Sequence, residues 1–312
     1  MSMGIRMLVV AVAAYLPLNG TVMAEQVKLD VSLAQPKLRA GEKQTTYLKV
    51  GLTGFEFETE KDRPSVNVAL VLDKSGSMRG QKIVRAREAA VSAINRLGAD
   101  DIVSVVTYDS TVNVLVPATK LTDKQAIIDK IQSISAGGST ALFAGVSKGA
   151  AELRKFLDRE KVNRIVLLSD GLANVGPKSP SELGKLGNSL GKEGIAVSTM
   201  GLGLHYNEDL MMQLAQQSDG NHIFIEDSAD LVQIFNYEFD DVLSVVAQEV
   251  AITIRCGEGI RPVRMLNGDA EINGSEVIVG MNQIYSQQEK YVLLEVEIPA
   301  SKVEAPMKEA AV

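Results

Sequence analysis

One stretch constrains the fold of this chain more than any other. Val66-Asn67-Val68-Ala69-Leu70-Val71-Leu72 is almost continuously apolar and stops at Asp73. A strand with one wet face would alternate with polar residues, whereas a strand buried on both faces need not. Such strands belong to parallel sheets covered by helices. The residues after Asp73 fit that reading. Ile83, Ala86, Ala90, Ile94 and Leu97 recur at helical spacing. Strand-like runs are expected at 102–108, 112–116, 165–168, 195–200 and 223–225. Helical stretches are expected at 123–134, 141–157, 181–192, 208–217 and 231–246. Strands alternating with helices predict an α/β fold with a doubly wound, mostly parallel sheet.

The flanks have a different period. Val27, Leu29 and Val31 alternate with polar residues, and Tyr47, Leu48, Val50 and Leu52 form a second strand-like run. Beyond 249, Val250, Ile252 and Ile254 share a face, Val277 and Val279 form another pair, and a last strand is expected over 291–298. Asn267-Gly268 and Asn273-Gly274 supply turns. Neither flank alone has enough strands to be stable. The expected organisation is therefore a β segment at 25–62, an α/β domain at 63–246 inserted after it, and a β segment at 247–300. The two flanking segments pair into a small β-sandwich, and a polar tail covers 301–312.

Residues 1–24 read as a secretory signal. Arg6 supplies the positive start, 7–18 is a short apolar run, and Val22-Met23-Ala24 places cleavage after Ala24. The run is short for a bilayer, which needs about 20 residues, so a retained anchor is the alternative. No later segment is long and apolar enough to cross a membrane. The single cysteine, Cys256, cannot form an intrachain disulfide and lies in a strand pattern as a buried thiol. Trp is absent and aromatics are 4%, so the core must be built from Val, Ile, Leu and Ala. With 32 basic against 39 acidic residues and no basic block, the sequence argues against a nucleic-acid partner.

The chemistry is concentrated where strands end. Asp73-Lys74-Ser75-Gly76-Ser77 closes the first buried strand, Asp170 closes the run at 165–169, and Gly137-Gly138-Ser139-Thr140 precedes a helix. Ligands of an open α/β sheet bind beyond the carboxyl ends of its strands. Asp73, Ser75, Ser77, Thr140 and Asp170 would thus gather two carboxylates and three hydroxyls at one edge. All are hard oxygen donors, suited to Mg²⁺, with Mn²⁺ or Ca²⁺ also possible, and unsuited to zinc or copper. A divalent cation offsets the repulsion between the carboxylates, while hydroxyls add coordination without more charge. A position left open could be filled by an acidic group of a partner.

These three motifs, in this order, resemble a von Willebrand factor type A domain with a complete metal-ion-dependent adhesion site. The resemblance rests on Asp73, Ser75 and Ser77 in D-x-S-x-S, Thr140 in Gly-Gly-Ser-Thr-Ala-Leu, and Asp170 in Leu-Ser-Asp-Gly, and it covers about 66–246. It implies that the hydroxyls touch the metal directly and the aspartates touch it directly or through water. The N-terminal β segment, Val-Leu-Asp-Lys-Ser-Gly-Ser-Met and Ser-Asp-Gly-Leu-Ala-Asn-Val-Gly are similar to exported bacterial proteins of this type. Those are named after inter-alpha-trypsin inhibitor heavy chains or calcium-activated chloride channel regulators. The resemblance implies a periplasmic or extracellular location and a protein ligand with an exposed Asp or Glu. It implies neither a small-molecule substrate nor an enzyme.

Plainer readings stand beside this one. Asp73 and Asp170 could be turn formers, and Ser75, Ser77 and Thr140 could be helix N-caps. Asp109 could support the site or be a solvated turn residue, and Asn174 could shape the loop after Asp170. His205 and His222 lie in no H-E-x-x-H, which disfavours a zinc protease. Gly201-Leu202-Gly203 lacks the third glycine of a dinucleotide loop, and 76–82 does not fit a phosphate-binding loop. Met211 and Met212 read as helix core. A metal-assisted hydrolase is the competing function, although no general base stands near the motifs. A structural part of an envelope assembly is the third.

Overall fold

Among the described residues the first elements are three strands, β1 (Val9–Ala13), β2 (Val27–Leu33) and β3 (Gln44–Gly54). The computed structural model describes residues 9–13, 27–35, 39, 41–56 and 63–300. Of the segment read as a signal, only 9–13 is therefore described; the rest, like residues 57–62 and the tail at 301–312, lies outside the described residues. The chain divides into two units: Arg63–Ser244, and the segments before and after it.

In the first of these, β4 (Val66–Asp73) leads through a 3₁₀ turn at Gly76–Met78 into α1 (Gln81–Arg96). Then come β5 (Ile102–Tyr108), β6 (Val112–Lys120), α2 (Lys124–Gln132), α3 (Leu142–Leu153) and β7 (Val162–Ser169). The unit continues with α4 (Pro180–Lys192), β8 (Ile195–Leu202), α5 (Glu208–Gln217), β9 (His222–Ile225) and α6 (Leu231–Leu243). The sheet order is β6-β5-β4-β7-β8-β9, parallel throughout except for β6 against β5. Every residue of β4, β5, β7 and β8 is buried, as continuous apolar runs require.

Alternation sorts the two faces. Ala69 and Val71 of β4, Val106 and Tyr108 of β5, Ile165 and Leu167 of β7 and Val197 of β8 join one core. That core is closed by Leu142 and Val146 of α3, Leu183 and Leu190 of α4, and Leu210 and Leu214 of α5. On the opposite side α1 packs against α2 and α6. Because the chain lays β4, β5 and β6 outward in one direction and β7, β8 and β9 in the other, its direction reverses between β4 and β7. At such a switch point the loops part and leave a crevice at the carboxyl edge.

Two elements differ from the sequence reading. The strand expected at 112–116 runs on to Lys120, with register irregularities opposite β5. It pairs along one side only, and its half-exposed pattern with Pro117 suits a sheet edge more than the buried alternation of its neighbours. The last helix ends at Leu243, before the expected 246, because the β-branched pair Val245-Val246 opens the next strand.

The second unit continues with β10 (Val245–Arg255), β11 (Arg261–Met265), β12 (Glu271–Asn273), β13 (Glu276–Tyr285) and β14 (Glu289–Ile298). They form two four-stranded sheets, β1-β10-β13-β12 and β11-β14-β3-β2. Strand β14 pairs antiparallel with β3 over its whole length, Glu289 opposite Thr53 and Ile298 opposite Gln44. Leu48, Val50 and Leu52 of one sheet and Val250, Ile252, Ile254 and Val277 of the other share an apolar core. Cys256 is buried there without a disulfide, and burial pushes its thiol pKa up. The fold is thus a doubly wound α/β sheet accompanied by a small antiparallel sandwich built from the chain on either side of it.

Candidate metal centre at the switch point

The five singled-out residues sit at the carboxyl edge where β4 and β7 diverge. Asp73 is the last residue of β4 and is fully buried. Both its oxygens are held: the Ser75 N–H donates to Oδ1 at 2.7 Å, and the Ser169 hydroxyl donates to Oδ2 at 2.7 Å. The hydroxyls of Ser75 and Ser77 lie 3.0 Å apart, and that of Ser77 donates to Asp170 Oδ1 at 2.7 Å. Thr140 arrives from the loop before α3. A β-carbon at Gly171 would meet the Ser77 hydroxyl at 3.2 Å and the Thr140 hydroxyl at 3.4 Å, so both close over that glycine. Two carboxylates and three hydroxyls therefore share one crevice.

Backbone hydrogen bonds lace the loops that carry them. Gly76 donates to the Gly138 carbonyl at 2.9 Å, Gly137 to that of Lys74 at 2.7 Å, and Ala141 to that of Asp109 at 2.8 Å. Gly138 has φ +86°, and a β-carbon there would come within 3.1 Å of Asp109, so glycine is required on both counts. Asn174 ties the third loop in. Its side-chain oxygen accepts from the Thr140 N–H at 2.8 Å, and its own N–H donates to the Thr140 carbonyl at 3.1 Å.

None of the three hydroxyls is used as a helix cap. Ser75 precedes the 3₁₀ turn without a side-chain capping bond, α1 starts from Gly80, and α3 starts from Ala141. Elsewhere the chain caps in the ordinary way: Asp123, Ser179 and Asn207 each accept a first-turn N–H of α2, α4 and α5. The capping alternative thus fails at the three positions where a metal reading needs the oxygens.

The electrostatics are those of a site short of positive charge. Burial raises the Asp73 pKa from 3.8 to about 6; hydrogen bonds from Ser169 and Ser75 pull the other way, and the charge of Asp170 adds to the rise. Asp170 is met by one cation, Lys82, whose Nζ donates to Oδ2 at 2.5 Å. The donor set suits a hard divalent ion: two anionic oxygens for charge and three neutral ones for coordination. No cluster of three or more His, Cys, Asp or Glu side chains placed for metal binding occurs among the described residues, so an ion here would depend on hydroxyls. Hard divalent ions such as Mg²⁺, Mn²⁺ and Ca²⁺ favour such an all-oxygen set.

The remaining candidates lie elsewhere or do other work. Asp109 forms an ion pair with Lys74 and accepts from the N–H and hydroxyl of Thr111, which holds its carboxyl below the usual range although burial alone would raise it. His222 bridges Thr199, 2.8 Å from Nδ1, and Tyr206, 3.1 Å from Nε2. Met211 is buried in the α3–α4–α5 core. Sequence reasoning misses Ser169 and Lys82 and gives Asn174 a minor part. Ser169 directly precedes Asp170, and that adjacency is a signal. Lys82 carries a weaker one, a cation in the first turn of a helix, where the helix dipole disfavours it.

Comparison with known proteins agrees with this architecture. The von Willebrand factor type A domain model matches residues 67–237. The Escherichia coli (strain K12) protein YfbK is 28% identical over 213 residues, covering 68% of this chain and 37% of its own. Human inter-alpha-trypsin inhibitor heavy chain H2 is 28% identical over 165 residues, covering 49% of this chain and 17% of its own. The chain therefore spans well under two thirds of these relatives' length. Among solved structures, a von Willebrand factor type A protein from Catenulispora acidiphila superposes with a TM-score of 0.74 at 18% identity, over 90% of this chain and 67% of that one. The family model covers more than half of the sequence, and its span contains the whole switch-point crevice: the chain belongs to the von Willebrand factor type A domain family.

Proposed function

We propose that this chain is a divalent-metal-dependent protein-binding module of an exported protein. Domains of its family commonly serve as protein-interaction modules. In this reading Asp73, Ser75, Ser77, Thr140 and Asp170 hold one hard cation, Mg²⁺ in the first instance, and an acidic side chain of a partner completes its coordination. The bound ion would supply a Lewis-acidic point that a partner carboxylate can reach. The chain's own residues do the rest. Ser75 and Ser169 orient Asp73, Ser77 orients Asp170, and Asn174 sets the loop that presents Thr140.

One observation carries the reading: three hydroxyls that could have capped helices cap none and instead gather at the switch point, where Ser77 donates to buried Asp170 and Thr140 lies beside Gly171. The apolar run and small residues before position 25 support export. No described helix is long and apolar enough to cross a membrane. The immobilised protein should retain a partner from the cell envelope in Mg²⁺ and release it in EDTA, and Asp73→Ala should retain none. Equal retention in all three conditions would contradict the proposal.

A further inference from the structure

We infer that Lys82 is a built-in competitor of the metal: its ammonium neutralises Asp170 while the site is empty and must leave that carboxylate when the ion enters. The inference rests on the metal reading above and adds a device that sets how much free cation the module needs.

Three observations carry it. First, the pairing is asymmetric. The Asp170 side chain is 0% exposed, whereas that of Lys82 is 35% exposed and can swing out into water. Second, Lys82 is held against a local penalty. It is the second residue of α1, the first turn contains no acidic side chain, and the helix dipole there repels a cation. The contact at 2.5 Å is therefore sustained by Asp170, 88 residues away in sequence. Third, the loop beyond β8 passes over the lysine: a β-carbon at Gly203, which has φ +79°, would lie 3.8 Å from Lys82 Nζ. The ammonium thus lies beside that loop and the carboxylate, with its remaining side open to water.

The other oxygen of Asp170 already accepts from Ser77, and Ser77 contacts Ser75. An ion bound by these hydroxyls and by Asp170 would meet a positive charge on the same carboxylate. Two cations on one buried carboxylate repel strongly at such range. The lysine must yield, and its long flexible stem allows that. Without Lys82, the empty site would hold Asp73 and Asp170 with no cation between or beside them. The metal-free form would then be less stable, and the ion would bind more tightly by the amount the competitor had cost.

Calorimetric titration with MgCl₂, together with thermal melts in EDTA and in saturating Mg²⁺, tests this on the full chain. Lys82→Met should bind Mg²⁺ at least about tenfold more tightly than the wild type. It should melt lower in EDTA and at the wild-type temperature in saturating Mg²⁺, because the lysine is already displaced there. Lys82→Gln should behave in the same way, which guards against a side-chain packing effect of methionine. Equal Mg²⁺ affinity in wild type and both variants would overturn the inference and leave the metal site standing. A higher melting temperature for the variants in saturating Mg²⁺ would also overturn it, since that is the mark of long-range repulsion without direct competition. Absence of Mg²⁺ binding in wild type and variants alike would overturn the metal reading together with the inference.

Discussion

The α/β unit buries two polar clusters, and they solve the problem of charge in a core in opposite ways. Arg164 of β7 and Glu238 of α6 are both essentially unexposed and form an ion pair at 3.3 Å. Ser198 adds hydrogen bonds to both, and Asn221 donates to the second Glu238 oxygen at 2.8 Å. Opposite charges meet, and Ser198 and Asn221 fill part of what remains from within the chain. At the switch point two like charges meet instead. Asp73 and Asp170 are met by hydroxyls, one backbone N–H and a single half-exposed lysine. Burial raises the carboxyl pKa of both Glu238 and Asp73, but only Glu238 has an arginine beside it to pull the other way. The first cluster balances its charge from within the chain. On the proposed reading a cation from outside balances the second, and that difference would separate a structural cluster from a functional one.

The sharpest way to break the comparison is to remove one acid from each. Glu238→Ala strands a buried guanidinium and should cost about 3–5 kcal/mol in denaturant unfolding, while Mg²⁺ affinity in the fraction that remains folded is unchanged. Asp73→Asn should leave stability in EDTA unchanged or raised, because it removes a buried charge that nothing pairs, and it should abolish the effect of Mg²⁺. If the two variants lost similar stability in EDTA, the switch-point cluster would be structural as well.

Acidity separates the clusters next. In the metal-free protein Asp73 holds its proton up to about pH 6, whereas in the unfolded chain it loses it near 3.8. Between those values the folded state binds more protons, so this group's stabilising contribution is full below about pH 4 and is lost as pH rises through about 6. The difference amounts to on the order of 3 kcal/mol. It is read by comparing unfolding of wild type and Asp73→Asn in EDTA across that range. The gain from saturating Mg²⁺ should run the other way and shrink as pH falls below about 6, because the ion needs the carboxylate. A Mg²⁺ gain independent of pH would remove Asp73 from the set.

Smaller effects sharpen the picture. Ser77→Ala and Thr140→Ala should weaken Mg²⁺ binding by roughly tenfold each, about 1.4 kcal/mol. In EDTA Ser77→Ala should also cost about 1–3 kcal/mol, because its hydroxyl donates to the buried Asp170, whereas Thr140→Ala should cost less. Asn174→Ala should cost about 1 kcal/mol through the lost bond to Thr140, with a lesser loss of Mg²⁺ affinity. Calorimetric titration and denaturant melts of the three variants check these outcomes.

Much of this is legible in the amino-acid sequence. The run at 66–72 reads as a strand buried on both faces, as it is, and its carboxyl end points to Asp73. Residues within one loop, such as Ser75 and Ser77, are tied to Asp73 by short chain geometry, so their spacing alone is informative. Strand β6 reads too short because an edge strand lacks the two-sided burial that makes its neighbours plain. The end of α6 reads too late because Val245 and Val246 continue the apolar pattern of the helix while their branched side chains favour a strand. Lys82 and Asn174 are hidden for a different reason. Each acts on a loop far away in sequence, Lys82 on Asp170 and Asn174 on Thr140, and only the sheet order brings those loops together.

The central claim is that the like-charged cluster is a cation site. Titration of the EDTA-treated, dialysed protein with Mn²⁺, followed by the electron paramagnetic resonance signal of the free aqua ion, tests it most directly. The wild type should remove one equivalent of that signal and release it to excess Mg²⁺, while Asp73→Asn should remove none. A wild type that leaves the free-ion signal untouched, or an Asp73→Asn variant that binds as well as the wild type, would contradict the account.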